Sequence, residues 1–162
     1  MISSTADGKK NGVGLLTEDR KETGLILSYD LIRNITITNL KKIKTGLVLD
    51  KKKERAAATE LAEELGVKTP SMLQIAGNLS GGNQQKVVVS KWLSISPRIL
   101  LLDEPTRNLS PLSGPVIREL LAEYPGCIIT VSHDRRLIQE VCTRTVTLTP
   151  EGVRPSSFCD NF

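Results

Sequence analysis

Short apolar runs alternate along this chain with longer segments in which apolar residues recur at helical spacing. Residues 13–16, 99–102 and 127–131 form the apolar runs, and polar or turn-forming residues bound each of them, which predicts β-strands. The run 99–102 has no polar alternation, so we expect a strand that is buried on both faces of a largely parallel sheet. Strands alternating with helices predict an α/β fold.

The predicted helices lie between these strands and after them. The clearest covers residues 52–65, with Gly66 as its C-cap, and a second covers 83–93 with one packing face. Further helices are expected at 115–124 and 134–141, with broken helical turns over 28–44. Residues 144–148 are expected to pair across Pro150-Glu151-Gly152 in a hairpin, and 156–162 to form a disordered tail.

The composition is that of a soluble globular domain, and no apolar run approaches the roughly 20 residues that span a bilayer. No apolar leader stands at the N-terminus, so we expect a cytoplasmic protein. The net charge of +4 is uneven, and a basic cluster contains Lys41, Lys42, Lys44, Lys51, Lys52, Lys53 and Arg55. Such a cluster could meet nucleic acid or anionic lipid. Aromatic residues make up only 3% of the chain, too few for base stacking, and this favours a solvated face.

Three motifs carry candidate chemistry in a fixed order: 79–86, 99–106 and 132–134. Asp103-Glu104 follows an apolar strand, where phosphoryl-transfer sites place a magnesium-binding aspartate and a carboxylate that orients or deprotonates water. Ser80-Gly81-Gly82 precedes a helix, where free N–H groups and a hydroxyl can approach a phosphate closely. Either motif alone could be an ordinary turn or helix cap, whereas the ordered set indicates nucleotide chemistry.

Together these motifs resemble the second half of an ATP-binding cassette (ABC) nucleotide-binding domain. The resemblance implies a partial P-loop NTPase fold with a helical subdomain but without the phosphate-loop strand. The phosphate loop GxxxxGK[ST] is absent from the 162 residues, since the only Gly-Lys pair, Gly8-Lys9, is followed by Lys10. Residues 1–155 would form an incomplete nucleotide-binding domain, with the helical subdomain and signature region at about 25–95.

The resemblance also assigns roles. Asp103 would bind Mg²⁺ and Glu104 would be the catalytic carboxylate, with His133 as the switch histidine that contacts the γ-phosphate. The signature loop would bind the γ-phosphate of ATP held by a second cassette, and its cofactor-binding residues are Ser80, Gly81, Gly82 and Gln84. Glu18 stands where most cassettes have the Q-loop glutamine. Ser110 stands where many have the D-loop aspartate, a departure from the family pattern at the residue that implies communication between paired sites. Autonomous ATP hydrolysis is not expected.

Different parts of the chain resemble two different subfamilies of ABC cassettes. Glu18-Asp19-Arg20-Lys21 and residues 31–36 resemble the second cassette of ribose, xylose and galactose importers. After Thr106, residues 107–118 and 132–136 look like the ABC-F class, which acts on ribosomes. A mosaic joined near Thr106 is therefore a hypothesis.

The favoured function is an ATP-binding fragment of a sugar importer. It would work with a second cassette and membrane-embedded subunits at the inner face of the cell membrane. The alternatives are an ABC-F-like, ribosome-associated ATPase and a non-catalytic interaction module.

Overall fold

A computed structural model describes residues 3–107, 109, 111 and 113–156. Ser110, and the predicted tail from residue 157 onward, lie outside the described residues, and Ser156 ends the last strand. In chain order the elements are α1 (Thr5–Lys10), β1 (Val13–Leu16), a π-helical turn (Arg20–Gly24), α2 (Leu31–Thr36), α3 (Leu40–Ile43), β2 (Lys44–Thr45), β3 (Val48–Leu49), α4 (Lys51–Glu64), a 3₁₀ turn (Ala76–Asn78), α5 (Gly81–Leu93), β4 (Ile99–Asp103), α6 (Ser113–Ala122), β5 (Cys127–Val131), α7 (Arg135–Val141), β6 (Thr145–Thr149) and β7 (Gly152–Ser156).

The helices begin where the sequence offers capping side chains. Asp50 accepts hydrogen bonds from the N–H groups of Lys52 and Lys53 and starts α4, while Ser80 and Asp134 cap α5 and α7. Gly66, just after α4, has φ +58°, the left-handed conformation expected of a C-cap glycine. These elements and the β6–β7 hairpin confirm the predicted helices and hairpin to within about two residues at most ends.

Three parallel strands form the central sheet in the order β1-β4-β5. The prediction that β4 is buried on both faces is wrong, because burial alternates along it and only Leu100 and Leu102 are fully enclosed. In the described part of the chain, helices cover one face of the sheet. The other face carries the exposed apolar side chains of Leu15, Ile129 and Val131. An apolar run in the sequence shows that a strand is hydrophobic, but it does not show which faces of the strand are packed against helices.

Helix α5 is the centre of the molecule. Every residue from 84 to 91 is buried, so the predicted single packing face is too narrow a description. The helix lies between the sheet and helices α2 and α4, and one hydrophobic core joins all of them. Burial lowers the pKa of Lys91, whose ammonium donates a hydrogen bond to the Gly24 carbonyl. This bond ties the centre of the fold to the turn after β1.

Candidate functional site

The carboxyl ends of β4 and β5 carry the predicted catalytic residues. Glu104, directly after β4, has φ +46°, which is unusual for a residue with a side chain. Its backbone N–H donates to the Val131 carbonyl at 2.9 Å, so the end of β5 holds the chain in this conformation. Strained backbone of this kind concentrates at functional sites because it aims a side chain that a relaxed chain would direct elsewhere.

The Glu104 carboxylate is held from the same side. Its Oε1 accepts a hydrogen bond from the His133 backbone N–H at 3.0 Å, and its Oε2 accepts a longer bond from Ser132 Oγ at 3.4 Å. The His133 ring nitrogen Nε2 lies 3.7 Å from Oε1, and its side chain is 99% exposed against 15% for Glu104. The structure therefore brings together two residues that the sequence predicted to be catalytic. The carboxylate is fixed, and the imidazole is free to meet a ligand.

Asp103 is the last residue of β4 and pairs in register with Val131. Its side chain is partly exposed, and no described residue donates a hydrogen bond to it or forms an ion pair with it. Within the described residues, no group of three or more histidine, cysteine or carboxylate side chains could hold a metal ion by itself. One available carboxylate fits Mg²⁺, which protein sites commonly bind through one or two carboxylates together with phosphate and water.

The predicted signature loop forms the start of α5. Ser80 is exposed, and its Oγ accepts hydrogen bonds from the backbone N–H and the side-chain Nδ2 of Asn83, at 3.5 and 3.1 Å. The side-chain Oδ1 of Asn83 in turn accepts the N–H of Lys68 at 2.9 Å. The loop is thus braced by the segment after α4. Ser80, Gly81 and Gly82 stand at a helix N-terminus, where the N–H groups and the helix dipole favour an anion.

Gln84 differs from the other predicted binding residues, because it is buried. Its Nε2 donates to the Ala76 carbonyl at 3.1 Å, and its Oε1 accepts from Arg20 Nε at 3.4 Å. In this conformation both polar atoms of the Gln84 amide, Nε2 and Oε1, are hydrogen-bonded to other protein groups. The neighbouring Gln85 donates to the Pro105 carbonyl at 3.0 Å and connects α5 to the chain after Glu104.

Arg20 belongs to the importer-like motif 18–21, but the sequence assigned it no role in the site. Its guanidinium lies against the signature loop, and a Cβ at Gly81 would come within 2.6 Å of its Nη2, so a larger residue there would displace it. Arg20 follows Glu18 closely in the chain but is 64 positions from Gln84. No spacing rule connects residues so far apart, and only the basic charge beside a predicted phosphate site could have drawn attention to it.

Glu18 follows β1 and forms an ion pair with Arg107, three residues beyond Glu104. Both side chains are about half exposed and line an open cleft with Asp19, Arg20 and Lys21. The predicted site residues thus form two groups, one at the carboxyl end of the sheet and one at the start of α5. Arg20 and Gln85 are the contacts that lie between them.

A family model described as "ABC transporter" matches residues 7–107, which is more than half of the chain. The chain belongs to the ABC transporter family. This confirms the predicted family, and the match includes Ser80, Asp103 and Glu104.

Curated proteins similar to this chain include sugar-import ATP-binding proteins. The ribose import ATP-binding protein RbsA of Clostridium tetani is 40% identical over 151 residues, 91% of this chain and 30% of that protein. A putative ribose/galactose/methyl galactoside import ATP-binding protein of Rhizobium etli is 37% identical over 150 residues, 91% of this chain and 29% of that protein. The chain therefore spans about 30% of the length of these relatives. A match covering 91% of the chain also has to cross Thr106, the junction of the hypothetical mosaic.

Solved structures confirm the α/β cassette fold. The dimeric ATP-binding cassette MJ0796, in a post-hydrolysis state bound to ADP and Pi, superposes with a TM-score of 0.77 at 22% identity, covering 97% of this chain and 68% of that chain. A metal-chelate type ABC transporter in an inward-facing conformation gives a TM-score of 0.70 at 16% identity, covering 93% of this chain and 60% of that chain. Within the described residues, no helix has both the length and the apolar character needed to cross a membrane.

Proposed function

We propose that this chain supplies the signature loop, the magnesium-binding (Walker B) aspartate Asp103, the catalytic carboxylate Glu104 and the switch histidine of an ATP-binding subunit in an ABC sugar importer. The observation that carries the proposal is the geometry of Glu104. Its carboxylate is fixed by the His133 amide and by Ser132, at the carboxyl end of the central strand and directly after Asp103. A carboxylate held in this way can orient an attacking water and accept its proton.

The remaining roles follow from what each side chain has available. Asp103 would bind Mg²⁺, which when bound to ATP neutralises phosphate charge and polarises the γ-phosphate. The exposed imidazole of His133 can donate a hydrogen bond to a γ-phosphate oxygen while its backbone N–H keeps Glu104 in position. The helix start at Ser80, Gly81 and Gly82 would meet the γ-phosphate of ATP bound by a second cassette.

Glu18 would couple this site to the membrane-embedded subunits. It lies on the exposed cleft beside Arg20 and is tied by Arg107 to the chain that follows the catalytic carboxylate. A movement of Glu18 can therefore shift Arg107, and with it the short segment 105–107 that follows Glu104. The names of the relatives support a ribose- or galactose-type sugar as the cargo. Their match across Thr106 favours the importer over the ribosome-associated alternative.

Pairing with an intact cassette tests the proposal. Ser80→Arg should abolish ATP-dependent pairing, because the long side chain would fill the space for the γ-phosphate. Its fold should survive, because losing the Ser80 N-cap costs about 0.5–2 kcal/mol, a fraction of the stability of a typical domain. The measurement is size-exclusion chromatography with and without ATP, using an intact partner cassette whose catalytic carboxylate has been replaced to block hydrolysis.

Ser28→Arg is the matched control, since Ser28 is also an exposed serine, in the turn before α2. It should pair like the unmodified chain. Equal pairing by Ser80→Arg would show that the loop is only a helix cap. Capture of the chain by sugar-importer membrane subunits should follow ATP-dependent pairing, whereas co-sedimentation with ribosomes instead would overturn the importer assignment.

A further inference from the structure

The basic cluster predicted from the sequence has an unexpected shape. Its residues surround a β-hairpin, formed by β2 and β3, with Lys44 opposite Leu49 and Thr45 opposite Val48. Gly46, at φ +65°, and Leu47 form the turn. The tip is apolar and fully open to solvent, because Leu47 is 101% exposed and Val48 is 72% exposed. A solvated face, which the sequence favoured, does not explain two large apolar side chains exposed to water at the tip.

The hairpin is a fixed projection. Asp50, which caps α4, donates its backbone N–H to the Ile43 carbonyl at 3.1 Å and accepts a hydrogen bond from Thr45 Oγ1 at 3.3 Å. Lys53 Nζ donates to the same Thr45 hydroxyl at 3.2 Å, and Ile43 is buried at the base. The base of the hairpin is therefore anchored in the fold, and the tip projects from it into solvent.

The charge around the tip is almost entirely positive. The two acidic residues nearby are engaged by the fold: Asp50 caps α4, and the buried Glu54 pairs with Lys51 and accepts a bond from Thr36. Within the cluster, the exposed basic residues for which the described part of the chain shows no acidic partner are Lys41, Lys42, Lys44, Lys52 and Arg55.

The arrangement of charge along α4 is unfavourable for the helix itself. Three lysines occupy its first turn beside Glu54, whereas the helix dipole prefers acidic residues there, and Glu60, Glu63 and Glu64 lie toward its other end. The order therefore opposes local helix stability. It does concentrate positive charge at the end of α4 that adjoins the hairpin.

We propose that this hairpin docks on an anionic phospholipid surface, with Leu47 and Val48 entering the interfacial region and the surrounding lysines meeting the headgroups. Lysines near an anionic leaflet are attracted to it, and apolar side chains at the tip add a short-range contribution. Specific protein partners usually cover about 800 Å² on each side, which is far more than a two-residue tip offers. Nucleic acid is disfavoured because residues 30–91 contain no aromatic side chain for stacking. The proposal does not depend on the nucleotide chemistry above.

Co-sedimentation of the full chain with lipid vesicles tests the proposal. The chain should bind vesicles of phosphatidylcholine mixed with phosphatidylglycerol, bind poorly to phosphatidylcholine alone, and dissociate as salt rises. Leu47→Glu should lower the partition coefficient at least about tenfold, because it removes the inserting group and adds a charge that the surface repels. Leu73→Glu is the control. Leu73 is a 59% exposed leucine outside the cluster, and its replacement changes the net charge equally.

A second pair of variants separates position from net charge. Lys41→Glu with Lys52→Glu should lose binding, whereas Lys9→Glu with Lys10→Glu on α1 should keep most of it. In addition, tryptophan emission should shift to the blue on anionic vesicles for Leu47→Trp and not for Leu73→Trp. Circular dichroism checks that each variant is folded. We expect the Leu47 variants to fold, because the side chain of Leu47 is fully exposed.

Three outcomes would overturn the proposal. The first is that the unmodified chain does not bind anionic vesicles. The second is that Leu47→Glu and Leu73→Glu weaken binding equally, which would mean a general charge effect. The third is binding to RNA or DNA that is unchanged by Leu47→Glu, with none to vesicles, which would assign the cluster to nucleic acid.

Discussion

Asn34 holds the segment on which the signature loop is built, and replacing it should cost the fold heavily. The side chain is fully buried in α2. Its Oδ1 accepts the Ile26 N–H at 2.9 Å, and its Nδ2 lies within 3.0–3.2 Å of the carbonyls of Ile26, Tyr29 and Asp30. The same segment then receives the loop, since the N–H of Ala76 donates to the Tyr29 carbonyl at 2.9 Å.

The cost of Asn34→Ala can be worked out from these partners. The three carbonyls each keep a second donor, namely the N–H groups of Tyr29, Ala76 and Asn34, whereas the Ile26 N–H loses its acceptor. One orphaned donor costs about 1–3 kcal/mol, and the bonds lost from the two amide N–H hydrogens to carbonyls that keep another donor add roughly 0.5 kcal/mol each. We therefore expect about 3 kcal/mol, a large share of the roughly 5–15 kcal/mol that stabilises a typical domain. The melting temperature should fall by about 6–12 °C.

Urea and thermal unfolding of the variants measure this cost, with Asn78→Ala, an exposed asparagine beside the loop, as the control expected to stay within about 0.5 kcal/mol. Asn34→Asp should cost more than Asn34→Ala at neutral pH, because a carboxylate would face three carbonyl oxygens. That environment would raise the pKa of the introduced carboxyl in the folded state. The stability lost by Asn34→Asp should therefore decrease as the pH falls toward about 4, the ordinary pKa of an aspartate. Hydrogen exchange at Ala76 should also accelerate. A loss below about 1 kcal/mol for Asn34→Ala would refute the reasoning.

Two further predictions concern the chain in isolation. The 162-residue chain should bind MgATP weakly and hydrolyse it negligibly, because its sequence has no glycine-rich phosphate loop to supply fixed donors; tight, magnesium-dependent binding in calorimetry would contradict this. It should also self-associate through the open face of its sheet, which Ile129→Lys should reduce in light scattering and Leu148→Lys, in the β6–β7 hairpin, should not. A monodisperse unmodified chain with a sharp, high melting transition would show that this face does not associate.

The elements and motifs that the sequence predicted depend on local chemistry. A serine or aspartate before a helix, a glycine after one and an apolar run that ends in Asp103 each act within a few residues. Contacts between distant residues lack any such signal. The bond from Gln85 to the Pro105 carbonyl and the position of Arg20 over Gly81 depend on how α5 crosses the sheet, and neither residue type demands those partners.

The same limit explains the hairpin and the sheet. Residues 47–49 and 99–102 are both short apolar runs, and composition cannot distinguish the exposed run from the partly buried one. The difference arises because β4 lies between two other strands and beneath helices, whereas β2 and β3 pair only with each other in the described part of the chain. Exposure is a property of the neighbours and has to be read from the structure.

Glu104 shows most clearly what the fold adds to a motif. The sequence could nominate this carboxylate because it follows Asp103 at the end of an apolar strand. Its left-handed backbone, however, is unfavourable for a glutamate and persists because its N–H is bonded to the Val131 carbonyl at the end of β5. The His133 N–H, just after β5, holds the carboxylate. The backbone of the strand after β4 therefore sets the direction of the proposed catalytic carboxylate. A change that displaced His133 as a ligand contact could leave Glu104 in place, whereas a shift of β5 would move both residues together.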